Sequence, residues 1–276
     1  MPPSDPTAEE RKLAKVYESC SRFYMRKKVE FAGGWLDKIE GTQITSSPYW
    51  DFINGIHSPG WKDSEVERCL DLTLRKFNEY GAGLAVSDGP STKARNLREE
   101  LLKRGFRCSY YVPYFHLDLR QKIEGTKSPK GIEVGLQADF DVFKEQAHPW
   151  IGPLTTKIRK DSMAMLRAGC EAKKPWMYAF TAKDGDDFVG SASYIVHRGN
   201  VGVYDVMVKE AYRRKGIGHA LMNTLCLHAQ EKGYKAAGLS ASSKGFGLYV
   251  KAGFREVGRY GFYLLSKGGV RKALGG

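Results

Sequence analysis

Cysteine is scarce and unpatterned in this chain of 276 residues: Cys20, Cys69, Cys108, Cys170 and Cys226 lie far apart, are odd in number and never form Cys-x-x-Cys. That excludes a disulfide-stapled scaffold and leaves no Cys/His spacing for a metal, so free, mostly buried thiols in a reducing compartment are expected. No long apolar run occurs, and the polar, proline-containing N-terminus has no apolar signal core. Neither membrane insertion nor export is expected, and the cytoplasm is the expected location. Blocks of like charge are missing too. The formal charge is +13, but 44 Lys and Arg are dispersed among 31 Asp and Glu, without a basic tract. No nucleic-acid partner is expected, and the charge reads as a solvated basic surface that attracts polyanions.

What is present is enough chain for two domains. The stretch 123–131 is polar, with two glycines and a proline, and reads as a linker. It divides residues 1–122, a supporting α/β domain, from residues 132–276. The halves resemble each other. Gly83-Leu-Ala-Val-Ser87, a helical run ending Gly105-Phe106 and strands near Tyr110 run parallel to Gly238-Leu-Ser-Ala-Ser242, Gly253-Phe254 and strands near Tyr260. The alternative is an unrelated α/β domain with a chance match. Helical spacing is expected at 140–147 and 154–172, followed by a hairpin of strands 176–182 and 188–196 around the turn-rich 183–187.

The most informative stretch runs from Val203 to His219, an apolar strand entering a basic, glycine-spaced turn that opens a helix. Backbone N–H groups in a first helical turn lack partners and lie at the positive end of the macrodipole, so the turn suits a phosphate. Gly216 and Gly218 remove side chains that would block its approach. Ile217, Ala220, Leu221, Thr224, Leu225 and His228 follow helical spacing, and Gly233 marks the stop. A structural turn is the bland alternative. In the first half the equivalent turn is His57-Ser-Pro-Gly-Trp-Lys-Asp63, with Pro59 and Trp61 and no glycine pair, so no phosphate is expected there.

Arg213-x-x-Gly216-x-Gly218 resembles the pyrophosphate loop of the GNAT superfamily of N-acetyltransferases, and Leu248-Tyr249-Val-Lys-Ala-Gly253-Phe254 is similar to the helix end that follows it in that family. The resemblance implies a mixed α/β (α+β) fold, a central GNAT sheet flanked by helices, complete in the second half and a degenerate copy in the first. It implies acetyl-CoA as co-substrate, without a metal. Arg213, Arg214, Lys215, Gly216, Ile217, Gly218 and His219 would form the pyrophosphate cradle. The Val206 amide would polarise the acetyl carbonyl, Met207 and Val208 would pair with the pantetheine arm, and Tyr249 would protonate the departing thiolate. Where many members place Asn, this chain has Ser242, with a hydroxyl in place of an amide's paired donor and acceptor.

The strand itself carries a phase change: Val201 and Val203 alternate on odd positions, Val206 and Val208 on even ones. Either one extra residue sits near Tyr204-Asp205 as a β-bulge, or both faces are buried and alternation carries no meaning. Asp205 is the leading candidate base, ahead of Tyr204, His197 and Glu210, with a water relay as the other route. Each has a structural alternative, as a cap, a strand end or a surface group, and Tyr249 has one as a core aromatic. The expected activity is transfer of an acetyl group to the primary amine of a small molecule by a monomer or homodimer. The alternatives are a peptide or protein N-acetyltransferase and a non-catalytic coenzyme-A-binding module.

Overall fold

The computed structural model describes residues 6–47, 54–137 and 156–275. The chain forms two compact units, Met1–Tyr114 with Val257–Gly276, and Phe115–Glu256. This division differs from the one expected at 123–131. That segment lies wholly within the second unit, and the last strand and helix of the chain belong to the first.

Unit 1 begins with α1 (Ala8–Ala32), opened by a reciprocal capping box between Thr7 and Glu10 and closed by Gly33 in the left-handed region. Strands β1 (Trp35–Ile39), β2 (Thr42–Ser46) and β3 (Gly55–His57) follow, then helix α2 (Val66–Tyr80), β4 (Leu84–Asp88), α3 (Leu97–Lys103) and the first part of β5 (Arg107–Asp118). From the other end of the chain come β11 (Arg255–Leu265, from Val257 onward) and α7 (Lys267–Ala273). The strand order is β1-β2-β3-β4-β11, parallel between β3 and β4 and otherwise antiparallel. Val66, Leu70, Leu74 and Phe77 of α2 recur at helical spacing and are all buried, beside Leu84, Val86, Leu101 and Phe106. Tyr263, Leu265 and Val270 complete this same core, which is why β11 and α7 join unit 1. Each fully buried large apolar side chain stabilises by roughly 1.5–3 kcal/mol.

Unit 2 takes the end of β5, then β6 (Ile132–Leu136), α4 (Thr156–Cys170), β7 (Met177–Asp184), β8 (Asp187–His197), β9 (Asn200–Val208), α5 (Ile217–Glu231), β10 (Ala236–Ser240) and α6 (Phe246–Lys251). From β10 the strands run β10-β9-β8-β7-β6, antiparallel except for the β9–β10 pair. The helical pattern at 140–147 lies outside the described residues. α5 packs closely on β8 because Gly190 has no side chain: a Cβ there would stand 2.9 Å from Leu221 Cδ1 and 3.3 Å from Ile217 Cγ2. The segment expected to be a linker is fixed along α5. Asn223 donates to Glu124 O at 2.7 Å and accepts from Thr126 N at 2.8 Å, and Gln230 holds the residues just before the segment, donating to Leu119 O at 2.6 Å and Gln121 O at 2.7 Å.

The repeat read from sequence extends to individual bonds. α2 ends with Gly81 at φ 63° and Ala82 N donating to Phe77 O at 3.1 Å; α5 ends with Gly233 at φ 76° and Tyr234 N donating to Ala229 O at 3.1 Å. Likewise Phe106 N donates to Leu101 O at 3.1 Å past Gly105, and Phe254 N to Tyr249 O at 3.0 Å past Gly253. Both glycines are left-handed, at 83° and 85°. These are the same C-terminal stops, requiring glycine for the same reason. Among the described residues no helix is long and apolar enough to cross a membrane.

Candidate functional site

The site is built where β9 leaves its neighbours. Between β8 and β9 the register runs Ser191↔Met207 and then Ser193↔Tyr204, so Asp205 and Val206 together oppose Ala192. The phase change is therefore a β-bulge, and Asp205 carries it at φ 54°. On the other side, β9 pairs with β10 only at Ala237↔Val201 and Gly238↔Gly202. Beyond that the parallel ladder ends. Lys209 N donates to Val189 O at 2.8 Å, so strand alternation turns the amides of Val208 and Val206 away from β8, toward the edge where β10 has ended. Met207, opposite Ser191, has its amide on the β8 side by the same alternation.

β9 then runs into the basic turn. Arg214 and Gly216 both have positive φ, 64° and 84°, and α5 starts at Ile217. His219 N and Ala220 N bond back to Gly216 O at 3.1 and 3.0 Å. The amides of Arg214, Lys215, Gly216, Ile217 and Gly218 have no backbone acceptor among the described residues. They form a run of donors without backbone partners at a helix start, the arrangement that suits a phosphate. The side chains have more varied duties than the sequence suggests. Arg213 Nε donates to Val208 O at 3.2 Å and braces the turn against the strand end. Lys215 Nζ stands over the Tyr212 ring at 5.0 Å. His219 Nε2 donates to Lys251 O at 3.3 Å, tying the first turn of α5 to the end of α6.

Gly218 serves packing as well as access. A Cβ on it would lie 3.3 Å from Leu248 Cδ2 and 3.8 Å from Val208 Cγ2, so its absence lets the strand end, the cradle and α6 meet. Tyr249 is the next residue of α6. It is buried, and its ring lies against Gly245, whose Cβ would stand 2.9 Å from Tyr249 Cε2 and 3.4 Å from the hydroxyl. Phe115 and Phe254 flank the ring at 6.1 and 6.3 Å. Ser242 is exposed and its Oγ accepts from Gly245 N at 3.3 Å, which gives it a role in turning β10 into α6.

Asp205 is exposed, and its Oδ2 accepts from Ser193 Oγ at 3.2 Å. His197 ends β8, distant in register from the bulge, and Glu210 Oε1 pairs with Arg213 Nη1 at 3.5 Å. The two residues that sequence reasoning missed are Ser191 and Ser193, which flank Ala192 opposite the bulge. The small-residue run Gly190-Ser-Ala-Ser193 was their signal. Among the described residues no group of His, Cys, Asp and Glu is arranged to hold a metal. The thiols of Cys20, Cys170 and Cys226 are pushed up to about 12 by burial, which makes them poor nucleophiles at neutral pH.

Residues 175–256 match the family model described as an acetyltransferase (GNAT) domain. Curated proteins give no match. Among solved structures, a GCN5-related N-acetyltransferase from Kribbella flavida is similar at 13% identity, with a TM-score of 0.63, over 88% of this chain and 94% of that one. A tandem GNAT protein from the clavulanic acid biosynthesis pathway is similar at 10% identity and TM-score 0.60, over 96% of this chain and 98% of that one. A GCN5-related N-acetyltransferase from Sphaerobacter thermophilus shares 18% identity at TM-score 0.58, over 77% and 72% of the two chains. The fold, a mixed α/β arrangement with its sheet flanked by helices, is thus that of GNAT proteins over most of the chain.

Proposed function

We propose, on the premise that residues 175–256 form a GNAT domain, that this protein is an acetyl-CoA-dependent N-acetyltransferase acting on the primary amine of a small molecule. The GNAT fold supports acyl transfer generally; the acetyl donor and the amine acceptor are our reading. One observation carries it. The β9–β10 ladder stops two pairs in, and the strand edge so released leads directly into a run of amides that have no backbone acceptor among the described residues, at the start of α5. An extended pantetheine arm can add to that edge as a short strand while its diphosphate accepts from the cradle.

The residues fit this co-substrate. When bound, acetyl-CoA supplies an activated thioester carbonyl and a thiolate leaving group. The bulge turns the Val206 amide toward the open edge, where it donates to the carbonyl oxygen as charge develops there. Tyr249, one residue beyond Leu248 on the cradle, donates its phenolic proton to the sulfur, a transfer that needs no ionised tyrosine at neutral pH. Asp205, at the bulge, takes the proton from the acceptor ammonium directly or through a water. Gly216 and Gly218 keep the amides accessible, and Arg214 and Lys215 add positive charge for the diphosphate.

The burial of Tyr249 in the unit 2 core favours a second reading of that residue as packing, under which leaving-group protonation falls to solvent. We place the activity in the cytoplasm, in a monomer or homodimer, with neither nucleic acid nor membrane as partner. Steady-state thiol release from acetyl-CoA is the test, run with a panel of small primary amines and with peptides bearing free N-termini or lysines. Turnover with small amines supports the proposal. Turnover confined to peptides replaces the acceptor class, and tight binding without turnover would make the chain a coenzyme-A-binding module.

A further inference from the structure

A bulge removes ladder bonds, and the carbonyls it displaces must find other donors. Here they find two side chains. Ser191 Oγ donates to Asp205 O at 3.4 Å, and Ser193 Oγ stands 3.3 Å from Tyr204 O and 3.2 Å from Asp205 Oδ2. Both serines are buried, at 5% and 4% exposure, on the same face of β8, one on each side of the residue the bulge opposes. Asp205 meanwhile holds φ 54°, in the left-handed region that Asp enters more readily than most side chains and that suits the extra residue of a bulge. A hydroxyl has one proton, so Ser193 shares it between a main-chain carbonyl and a carboxylate, coupling the backbone of the bulge to the Asp205 side chain.

We infer that Ser191 and Ser193 are a paired hydroxyl clamp that sets the bulge, and through it positions the Val206 amide and the Asp205 carboxylate for acyl transfer. They are positioning residues: neither touches the reacting atoms. Alanine at both leaves the β8 backbone and the cradle in place but takes away the two hydroxyls that donate to Asp205 O and Tyr204 O. The bulge then relaxes, and the Val206 amide loses its aim. The inference rests on the acyl-transfer reading above.

The test reads the aim of the amide and requires no acceptor. Full-length protein is saturated with acetyl-CoA labelled at the acetyl carbonyl, and the C=O stretch is recorded by difference infrared spectroscopy. The wild-type protein is expected to lower the stretch relative to free acetyl-CoA, as a donor at the carbonyl does. Ser191→Ala/Ser193→Ala is expected to lose at least about half of that shift while its acetyl-CoA affinity stays within about threefold, because the cradle is untouched. Ser193→Thr, which keeps the hydroxyl, is expected to retain the shift. If the double change lowers the folded fraction, the two single alanine variants are read separately, each losing part of the shift. An undiminished shift in folded alanine variants overturns the clamp and leaves the acyl-transfer reading standing. A wild-type protein that does not bind acetyl-CoA overturns that reading and the clamp together.

Discussion

The turn at 57–63 in unit 1 and the loop at 213–219 in unit 2 occupy the same place in the repeat, between a parallel strand and the helix that follows it, and they are finished in opposite ways. In unit 1 the donors are used at home. Ser58 N donates to Ser87 O at 2.8 Å, Gly60 N to Thr42 Oγ1 at 3.2 Å and Lys62 N to Glu65 Oε2 at 2.8 Å. Trp61 is buried with Nε1 donating to Ile39 O at 3.1 Å, and the buried Glu18 accepts from Ser58 and Ser91. A Cβ on Gly89 would stand within 2.5 Å of the Glu18 carboxylate and the Ser58 hydroxyl. In unit 2 five successive amides have no backbone acceptor among the described residues. One frame can be closed from within or left with its donors outward, and only the second kind has use for an anion. Tyr249 marks a further difference, since the residue at its place in unit 1 is the buried Leu101.

The comparison breaks most visibly at Tyr249. Tyr249→Phe is expected to lower kcat by roughly two orders of magnitude with acetyl-CoA affinity nearly unchanged, the scale of a lost general acid. Steady-state and single-turnover assays with an acceptor from the amine panel check it. Near-normal kcat with a lowered melting temperature would assign the tyrosine to packing, as Leu101 is.

Next in size, Gly216→Asp places a carboxylate in the cradle and is expected to weaken acetyl-CoA binding by more than about tenfold. Gly60→Asp, in the open at the matching turn of unit 1, is expected to change it little. Calorimetry of both variants decides, and the same titrations on the parent protein are expected to give one co-substrate per chain. A two-site isotherm would mean that unit 1 also binds.

The smallest expected effect sharpens the contrast from the unit 1 side. Burial raises the Asp88 carboxyl to about 6, against opposing contributions from the Thr92 hydroxyl and from Arg98 and Arg11. A carboxyl raised in the folded state contributes stability that is fully present below its unfolded value, near 4, and is lost as pH rises through about 6. Asp88→Asn is therefore expected to flatten the fall in stability between those pH values and to gain on the order of 1 kcal/mol at neutral pH. Denaturant melts at the two ends of the range measure it, and a steeper fall in the variant would count against a buried, costly charge.

The helix stops were legible from sequence because each depends on one glycine and its neighbours: Gly105, Gly233 and Gly253 all stand in the left-handed region their sequence context implied. The bulge was legible as a phase change of valines, a local signal again. The hydroxyls that satisfy it were not, because Ser191 and Ser193 matter only through a register set by another strand. Nor could polarity alone show that 123–131 is held by Asn223, a residue about a hundred positions away. Membership of β11 was hidden for the same reason. Tyr263 and Leu265 follow the pattern of any buried strand, and nothing local says that Phe77 and Leu84 are their neighbours.

That membership gives the chain a calendar. β4 is complete early in synthesis, yet the strand that pairs with it as Leu84↔Leu265 through Asp88↔Gly261 is made last. At typical ribosomal speeds of roughly 5–20 residues per second, the intervening ~170 residues take on the order of 10–30 s. Through that interval β4 has β3 on one side only, and Leu84 and Val86 lack the cover of Tyr263, Leu265 and Val270. Phe115–Glu256 holds β6 to β10 entirely within its own span, so the strands around the candidate chemistry are free to pair while the other half still waits for its last strand.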